Sequence, residues 1–185
     1  MRKRPPAIDD YRFDLAPGAG SGESIDTMAE KKPPPQSAPG LAYLRRLYAE
    51  QLPFNQLLGF SIGQVTPTAV SVNFSARPEL IGNPVHQTLH GGVISSVLDA
   101  TGGLMASTGV VDRMTGAPID AIAQRLAAVG TIDLRVDYLR PGRGKHFTAT
   151  GAVMRAGNKV TVTRMELHND AGVLIAVGTG TYMVG

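Results

Sequence analysis

The chain has 185 residues, of which 43% are hydrophobic, 5% aromatic and 18% charged, with a formal net charge of +3 and no cysteine. This length and apolar content predict one domain with a sizeable core. The scattered basic residues and scarce aromatics argue against nucleic-acid binding, the missing thiols exclude disulfides and cysteine nucleophiles, and the four dispersed histidines do not suggest a metal site.

The first forty residues are predicted to be a disordered extension. Residues 1–40 hold seven of the thirteen prolines and few large apolar side chains, so they cannot bury enough surface to offset the entropy of ordering. Their basic start is followed by prolines and acids rather than by an apolar stretch, so we expect no signal peptide and a cytoplasmic protein. Met28 would also serve as an alternative start. The folded domain is expected over residues 41–185.

Helical spacing of apolar residues from Leu41 to Leu52 predicts an amphipathic helix that Pro53 ends. A short helical turn over residues 54–58 is expected to lead into a first strand. Over residues 70–75, apolar and polar side chains alternate, which is typical of a half-buried strand.

The segment from Gly91 to Val111 predicts a long buried helix. It is rich in small and apolar residues, and its one charged side chain is Asp99. Its length would span a bilayer, but its glycines, hydroxyls and acid favour a helix wrapped by other elements, so no membrane association is expected. An additional short helix is predicted between Asp112 and Val129.

Four strands are predicted in the last third of the chain. In the first of them, Ile132, Leu134, Val136 and Tyr138 alternate with polar residues. The others are expected near residues 147–155, 160–167 and 173–182, joined by short turns that make them antiparallel. Gly178 and Gly180 share one face of the last strand and leave room there for another backbone. The elements add up to an α+β fold with one wrapped helix and about six strands.

Two features of the long helix point to chemistry. Burying the Asp99 carboxylate is costly unless it is solvated, paired or used, although a structural role through hydrogen bonds is the alternative. His90, Gly91 and Gly92 stand where the loop becomes helix, so unpaired first-turn amides there suit a carbonyl that gains negative charge. A flexible helix start is the alternative for the glycines, and a capping role for the histidine.

The spacing of these features predicts a shared site. Nine residues of helix separate His90 from Asp99, a rise of about 13 Å, so one substrate carbonyl cannot touch both within one subunit. If two copies pack about a two-fold axis with antiparallel central helices, the amides of one copy approach the acid of the other.

These residues carry a family resemblance. The matching strings are Asn83-Pro84, His90-Gly91-Gly92-Val93-Ile94, Asp99-Ala100, Thr131-Ile132-Asp133-Leu134 and Tyr138-Leu139-Arg140-Pro141. They resemble the hotdog thioesterases of the phenylacetic-acid-pathway (PaaI-like) group. The resemblance implies a hotdog fold, in which a curved antiparallel sheet wraps a central helix, and a homodimer that often doubles to a homotetramer. It also implies hydrolysis of an acyl-CoA to free acid and CoA at the dimer interface, with no cofactor besides the substrate's own CoA.

The resemblance implies roles for the same residues. The Gly91 and Gly92 amides would polarise the thioester carbonyl, while Asp99 of the partner subunit would activate water or attack directly. His90 would orient the thioester end.

Two further polar residues receive roles from the resemblance. Asn83 would help to hold the water, but it lies seven residues before His90 where the family pattern usually has six, so His86 or Gln87 could substitute. Thr131 would position the nucleophile or the water, unless it is an ordinary strand threonine.

Arg140, Arg143 and Lys145 form a compact cationic loop after the first of these strands. It is either a solvated turn or, in a CoA thioesterase, a docking point for nucleotide phosphates. Two other functions remain on the same fold: a non-catalytic acyl-CoA-binding module, against which Asp99 argues, and an acyl-thioester dehydratase, whose local pattern of histidine and acid is not found.

Overall fold

The computed structural model describes residues 39–185. The predicted extension over residues 1–40 therefore lies outside the described part, except for its last two residues, which begin the first helix, α1 (Pro39–Arg46). Gly40 is buried there, and a Cβ atom at this position would lie only 2.5 Å from Cγ1 of Val111. The first helix therefore begins two residues before the predicted Leu41, and its Gly40 packs closely against Val111.

The predicted amphipathic helix is confirmed, with a change of winding at its end. A π-helical turn over Leu47–Gln51 follows α1, and α2 covers Pro53–Leu58, the predicted short helical turn. Gly59 ends α2 in the left-handed conformation, with φ of 71°. This conformation favours glycine, which explains the sharp change of direction before the first strand.

Eight strands follow in the described part of the chain. They are β1 (Ser61–Val65), β2 (Val70–Ser75), β3 (Ile81–Asn83), β4 (Thr88–Leu89), β5 (Gly130–Tyr138), β6 (His146–Ala156), β7 (Val160–Asn169) and β8 (Leu174–Met183). Six of them form one antiparallel sheet in the order β1-β2-β6-β7-β8-β5, and β3 pairs with β4 in a separate hairpin. The strands predicted from alternation and turn residues are all present.

The central helix, α3 (Gly91–Arg113), is the core of the domain. It is long and apolar enough to cross a membrane, but 72% of its most apolar window is buried inside the protein. Val97, Leu98, Leu104 and Met105 are fully inaccessible, so α3 is wrapped as predicted. A short helix, α4 (Ile119–Leu126), confirms the additional helix expected after it.

This helix wrapped by a curved antiparallel sheet is the α+β hotdog arrangement that the resemblance implies. The close backbone approach expected at Gly178 is not seen: a Cβ atom there would lie 3.2 Å from Cε of Met165 and an ordinary 3.5 Å from Cδ1 of Leu98, so α3 meets this glycine through a side chain.

The hairpin of β3 and β4 was not predicted from the sequence. Its strands are too short to show alternation, but two backbone hydrogen bonds fix it: the His90 amide donates to Leu80 O at 2.8 Å, and the Leu89 amide donates to Gly142 O at 3.0 Å. A Cβ atom at Gly82 would lie 2.6 Å from Cα of His90, so only glycine fits there. The hairpin thus fixes His90 at the start of α3.

Strand β5 departs from the predicted alternation at its start. The pairing of β5 with β8 shifts register between Thr131 and Asp133, which marks a bulge. Ile132 is 57% exposed as a result, whereas Leu134 and Val136 lie half-buried toward the core. The bulge turns Thr131 toward α3, where alternation alone would have placed Ile132.

Candidate active site

Asp99 lies half-buried in the middle of α3, and two hydroxyl groups meet its carboxylate. Thr131 Oγ1 donates a hydrogen bond to Oδ1 of Asp99 at 2.9 Å. The Tyr182 hydroxyl lies 3.3 Å from the same Oδ1 and 3.2 Å from the backbone oxygen of Asp99. No hydrogen bond reaches Oδ2 from any residue between 39 and 185. One carboxylate oxygen is therefore held, and the other is available to react.

Tyr182 reaches Asp99 because two glycines make room for its ring. Its side chain is only 1% exposed. A Cβ atom at Gly102 would lie 2.7 Å from Cζ of Tyr182, and one at Gly180 would lie 2.6 Å from its Cε2. Burial, and then the charge of Asp99, raise the pKa of the Tyr182 hydroxyl far above its ordinary value. The phenol therefore stays protonated and acts as a donor.

A pocket of about 230 Å³ opens beside this carboxylate. It is lined by Tyr48, Leu52, Phe54, Asn55, Ser96, Asp99, Ala100, Gly103, Val129, Gly130, Thr131 and Tyr182. The helices before β1 contribute an apolar wall to this pocket. Burial raises the pKa of the Tyr48 hydroxyl to about 12. Asn55 is only 5% exposed and donates through Nδ2 to Tyr48 O at 3.0 Å, which ties the π-helical turn to α2. We call this cavity the acid pocket.

His90 caps the N-terminus of α3. Its Nδ1 accepts a hydrogen bond from the Gly92 amide at 2.8 Å. A nitrogen that accepts carries no proton, so the neutral ring holds its proton on Nε2. In this arrangement Gly92, predicted to polarise a carbonyl, donates to the histidine instead, and His90 presents Nε2–H to solvent.

The Gly91 amide remains without an acceptor in the described part of the chain. The Tyr138 hydroxyl donates to Gly91 O at 3.1 Å, which fixes the peptide on the other side. A second pocket, of about 360 Å³, opens here, and we call it the glycine pocket. Its lining is Thr88, Leu89, Gly91, Ile94, Tyr138, Leu139, Arg140, Pro141 and Gly142. Gly91 and the cationic Arg140 thus line one cavity.

The two pockets belong to opposite parts of the same helix. Gly91 and Asp99 are eight residues apart on the unbroken α3, which corresponds to a rise of about 12 Å. No residue lines both cavities. The geometry agrees with the prediction that one carbonyl cannot touch the amide and the acid of the same chain.

The other residues predicted to hold water lie in the loop between β3 and β4. Oδ1 of Asn83 accepts from the amides of Val85 at 3.0 Å and His86 at 3.1 Å, an Asx turn that shapes the loop. Nε2 of Gln87 donates to Pro84 O at 2.7 Å. Within residues 39–185, no hydrogen bond joins Asn83, His86 or Gln87 to Asp99. The catalytic role predicted for Asn83 stays a prediction.

The cationic loop borders the glycine pocket through one of its three members. Arg140 lines the pocket, and its Nη1 donates to Leu174 O at 3.0 Å. Arg143 and Lys145 are exposed, but their backbone is anchored, because Asn169 Nδ2 donates to Arg143 O at 2.7 Å and the Lys145 amide donates to Asp170 Oδ2 at 3.1 Å. The backbone of the loop is fixed, and the exposed cationic side chains of Arg143 and Lys145 extend from it.

Sequence reasoning missed Tyr182, Tyr48 and Asn55. A signal for Tyr182 was present, since it follows Gly178 and Gly180 at intervals of two and therefore shares their face of β8. Gly180 leaves room for this ring rather than for another backbone.

Comparisons with known proteins agree on one family. A sequence model described as the thioesterase superfamily matches residues 86–176. The medium/long-chain acyl-CoA thioesterase YigI of Escherichia coli strain K12 is 45% identical over 145 residues, which cover 78% of this chain and 94% of that protein. A crystal structure from Shewanella oneidensis, described as related to the thioesterase superfamily, has a TM-score of 0.75 and 52% identity, with coverage of 78% and 95%. A thioesterase of Haemophilus influenzae shares the fold, with a TM-score of 0.61, 20% identity and coverage of 77% and 88%.

Proposed function

The chain belongs to the thioesterase superfamily, and from this premise we propose that it hydrolyses medium- and long-chain acyl-CoA thioesters to the free acid and CoA. We also propose that it falls in the PaaI-like group and works in the cytoplasm. Membership of this superfamily makes the protein a thioester hydrolase. The name of the Escherichia coli relative supports an acyl-CoA substrate with a medium or long acyl group.

The observation that carries this proposal is the carboxylate of Asp99. Thr131 and Tyr182 hold Oδ1, while Oδ2 is free beside a pocket of about 230 Å³. A carboxylate in this state either takes a proton from water or attacks the thioester carbonyl itself. Both routes need one free oxygen in a fixed orientation.

The oxyanion that forms at the carbonyl needs donors, and we propose that the partner subunit supplies them. Gly91 offers an unpaired amide and His90 offers Nε2–H, but they lie about 12 Å and about 13 Å along the helix axis from the acid of their own chain. In a two-fold dimer with antiparallel α3 helices, each Asp99 would face the turn of His90, Gly91 and Gly92, the glycine turn, of the other copy. Two equal sites result.

A candidate interface is the free edge of β5. This strand ends the six-stranded sheet, and its bulge leaves Ile132 57% exposed. Pairing two β5 edges about the two-fold axis would satisfy their free backbone groups and cover this side chain. We propose a dimer of this kind, which could double to a tetramer.

The chemistry of the proposed site is a simple acyl transfer to water. In the direct route, Asp99 takes a proton from water as the water oxygen adds to the carbonyl carbon, and the C–S bond then breaks. In the covalent route, Oδ2 of Asp99 adds to the carbonyl carbon and the C–S bond breaks to leave a mixed anhydride, which water then hydrolyses to restore the carboxylate. The thiolate of CoA leaves and takes up a proton, and the acyl group leaves as the free acid. This chemistry requires no cofactor beyond the CoA of the substrate.

The two pockets suit the two ends of such a substrate. The acid pocket has an apolar wall from Leu52, Phe54 and Val129, which suits an acyl chain. Arg140, Arg143 and Lys145 lie at the glycine pocket or next to it, and they suit the CoA phosphates.

A thiol-release assay on Asp99→Asn tests the function. The amide is the same size as the carboxylate but cannot act as a base or nucleophile, so kcat on medium- and long-chain acyl-CoAs should fall by about 10²- to 10⁴-fold. Circular dichroism and chromatography would check that fold and assembly persist. Full activity of this variant would remove Asp99 from the mechanism.

The same assay on the natural chain separates the alternative functions. Acyl-CoA binding without thiol release would support the binding module. A change in enoyl absorbance without thiol release would support the dehydratase.

A further inference from the structure

We propose that Tyr182 is a positioning residue, which together with Thr131 holds Oδ1 of Asp99 so that Oδ2 is the oxygen that acts on water or thioester. This inference rests on the proposed function, because it assigns a role within the same reaction. Tyr182 does not touch the substrate in this proposal; it acts through the carboxylate.

The two hydroxyls that meet Oδ1 come from directly paired strand residues. Thr131 on β5 and Tyr182 on β8 are register partners, and the bulge of β5 begins immediately after Thr131. Their oxygens lie 2.9 Å and 3.3 Å from the same Oδ1. A cross-strand pair therefore converges on one carboxylate oxygen from the sheet side.

The hydroxyl proton of Tyr182 has two possible acceptors, and the charge of the Asp99 carboxylate decides between them. The Tyr182 hydroxyl is 3.2 Å from the backbone oxygen of Asp99 and 3.3 Å from Oδ1. That backbone oxygen lies inside α3, where it already accepts a helical hydrogen bond. The ionised carboxylate is the stronger acceptor, so the proton goes to Oδ1 when Asp99 is charged.

The surroundings of Tyr182 are built for its hydroxyl rather than only for its ring. The side chain is 1% exposed, and its hydroxyl would collide with a Cβ atom at either Gly102 or Gly180. A buried phenol without a partner would be costly. Two glycines on different elements thus leave the hydroxyl the space to reach Asp99.

The experiment measures kcat against pH for the full chain carrying Tyr182→Phe. This change removes one oxygen and leaves the ring in its place. Losing a donor to the charged carboxylate makes protonation easier, so the acidic limb of the profile should move to higher pH by about half a unit to one unit, and kcat at its plateau should fall about tenfold with little change in KM.

Tyr43→Phe is the matched control, because Tyr43 lies on α1 and lines neither pocket. Its acidic limb should coincide with that of the natural chain. Lower thermal stability alone would not move the limb, which separates positioning from a general structural role.

A second variant covers poor folding of Tyr182→Phe. 3-Fluorotyrosine at position 182 keeps ring and hydroxyl but is a stronger donor, so the limb should move to lower pH. An unmoved limb in both variants, or an equal movement in Tyr43→Phe, would overturn the role of Tyr182. If Asp99→Asn abolishes turnover while these limbs stay in place, the proposed function stands and only this inference fails.

Discussion

The two ends of the proposed reaction chamber are built in different ways. The glycine turn consists of consecutive residues, His90, Gly91 and Gly92, and its donors are exposed or backbone groups at the start of α3. The acid half joins Asp99 on α3 to Thr131 on β5 and Tyr182 on β8. A local motif supplies the donors, whereas tertiary packing sets the acid. The glycine turn should tolerate substitutions that keep a backbone amide. The acid half should be sensitive to the loss or addition of a single atom.

Gly91→Pro removes the free amide and is expected to have the largest effect in this comparison. Gly91 is the first residue of α3, where proline is compatible with a helix, and His90 before it is extended, with φ of −66° and ψ of 137°. If the amide stabilises the oxyanion, kcat should fall about 10²- to 10³-fold in a thiol-release assay. Gly91→Ala keeps the amide, and its Cβ atom would meet Tyr138 at an ordinary 3.5 Å, so it should stay within a few-fold of the natural chain.

Mixing chains that carry Gly91→Pro with chains that carry Asp99→Asn tests whether the two halves of one site come from different subunits. A dimer of one Gly91→Pro chain and one Asp99→Asn chain would have one doubly damaged site and one intact site if the halves come from different subunits. Random co-assembly of the two inactive variants should therefore restore about a quarter of the natural activity. If each site lay within one chain, the mixture would stay as inactive as its components.

Gly102→Ala tests how closely the acid half is packed. A Cβ atom at this position of α3 would lie 2.7 Å from Cζ of Tyr182 and 2.9 Å from Sδ of Met165, so neither neighbour has room. We expect a loss of about 1–3 kcal/mol in the free energy of unfolding, measured by urea denaturation.

Gly109→Ala is the matched control for this packing. It lies in the same helix, and its Cβ atom would meet only Arg113 Nη1 at 3.6 Å. Alanine is the better helix former, so this variant should gain up to about 1 kcal/mol. A gain of similar size at Gly102 would show that Tyr182 can shift freely, contrary to the fixed acid half.

The same contrast explains how much could be predicted from the sequence. The Gly91–Asp99 interval and the apolar length of α3 predicted the wrapped helix and its two functional points, because all of these lie in one segment. Alternation and turn residues predicted the strands of the main sheet. The fold followed mainly from local periodicity and from the family resemblance.

The remaining details depend on contacts between distant segments. The bulge that turns Thr131 inward and exposes Ile132 arises from pairing with β8, which alternation within β5 cannot reveal. One further detail is local: the capping role was one of the two alternatives for His90, and its side-chain rotamer, which lets Nδ1 accept from the Gly92 amide, decides between them. The spacing after Gly180 indicates which face of β8 carries Tyr182, but its contact with Asp99 becomes visible only once Gly102 and Gly180 are brought together around its ring.

Lys145→Gln should have the smallest effect on activity. It tests whether the binding site at the glycine pocket extends to the cationic loop. Lys145 is exposed and precedes β6, whereas Lys159, also exposed, follows the other end of this strand. If the loop attracts CoA phosphates, Lys145→Gln should raise KM about two- to fivefold at low salt with kcat unchanged, because an exposed ion pair contributes little. The difference should vanish near 1 M salt, where charges are screened within about 3 Å. Lys159→Gln has the same charge change far from the glycine pocket, so an equal rise in its KM would attribute the effect to net charge and leave the loop a solvated turn.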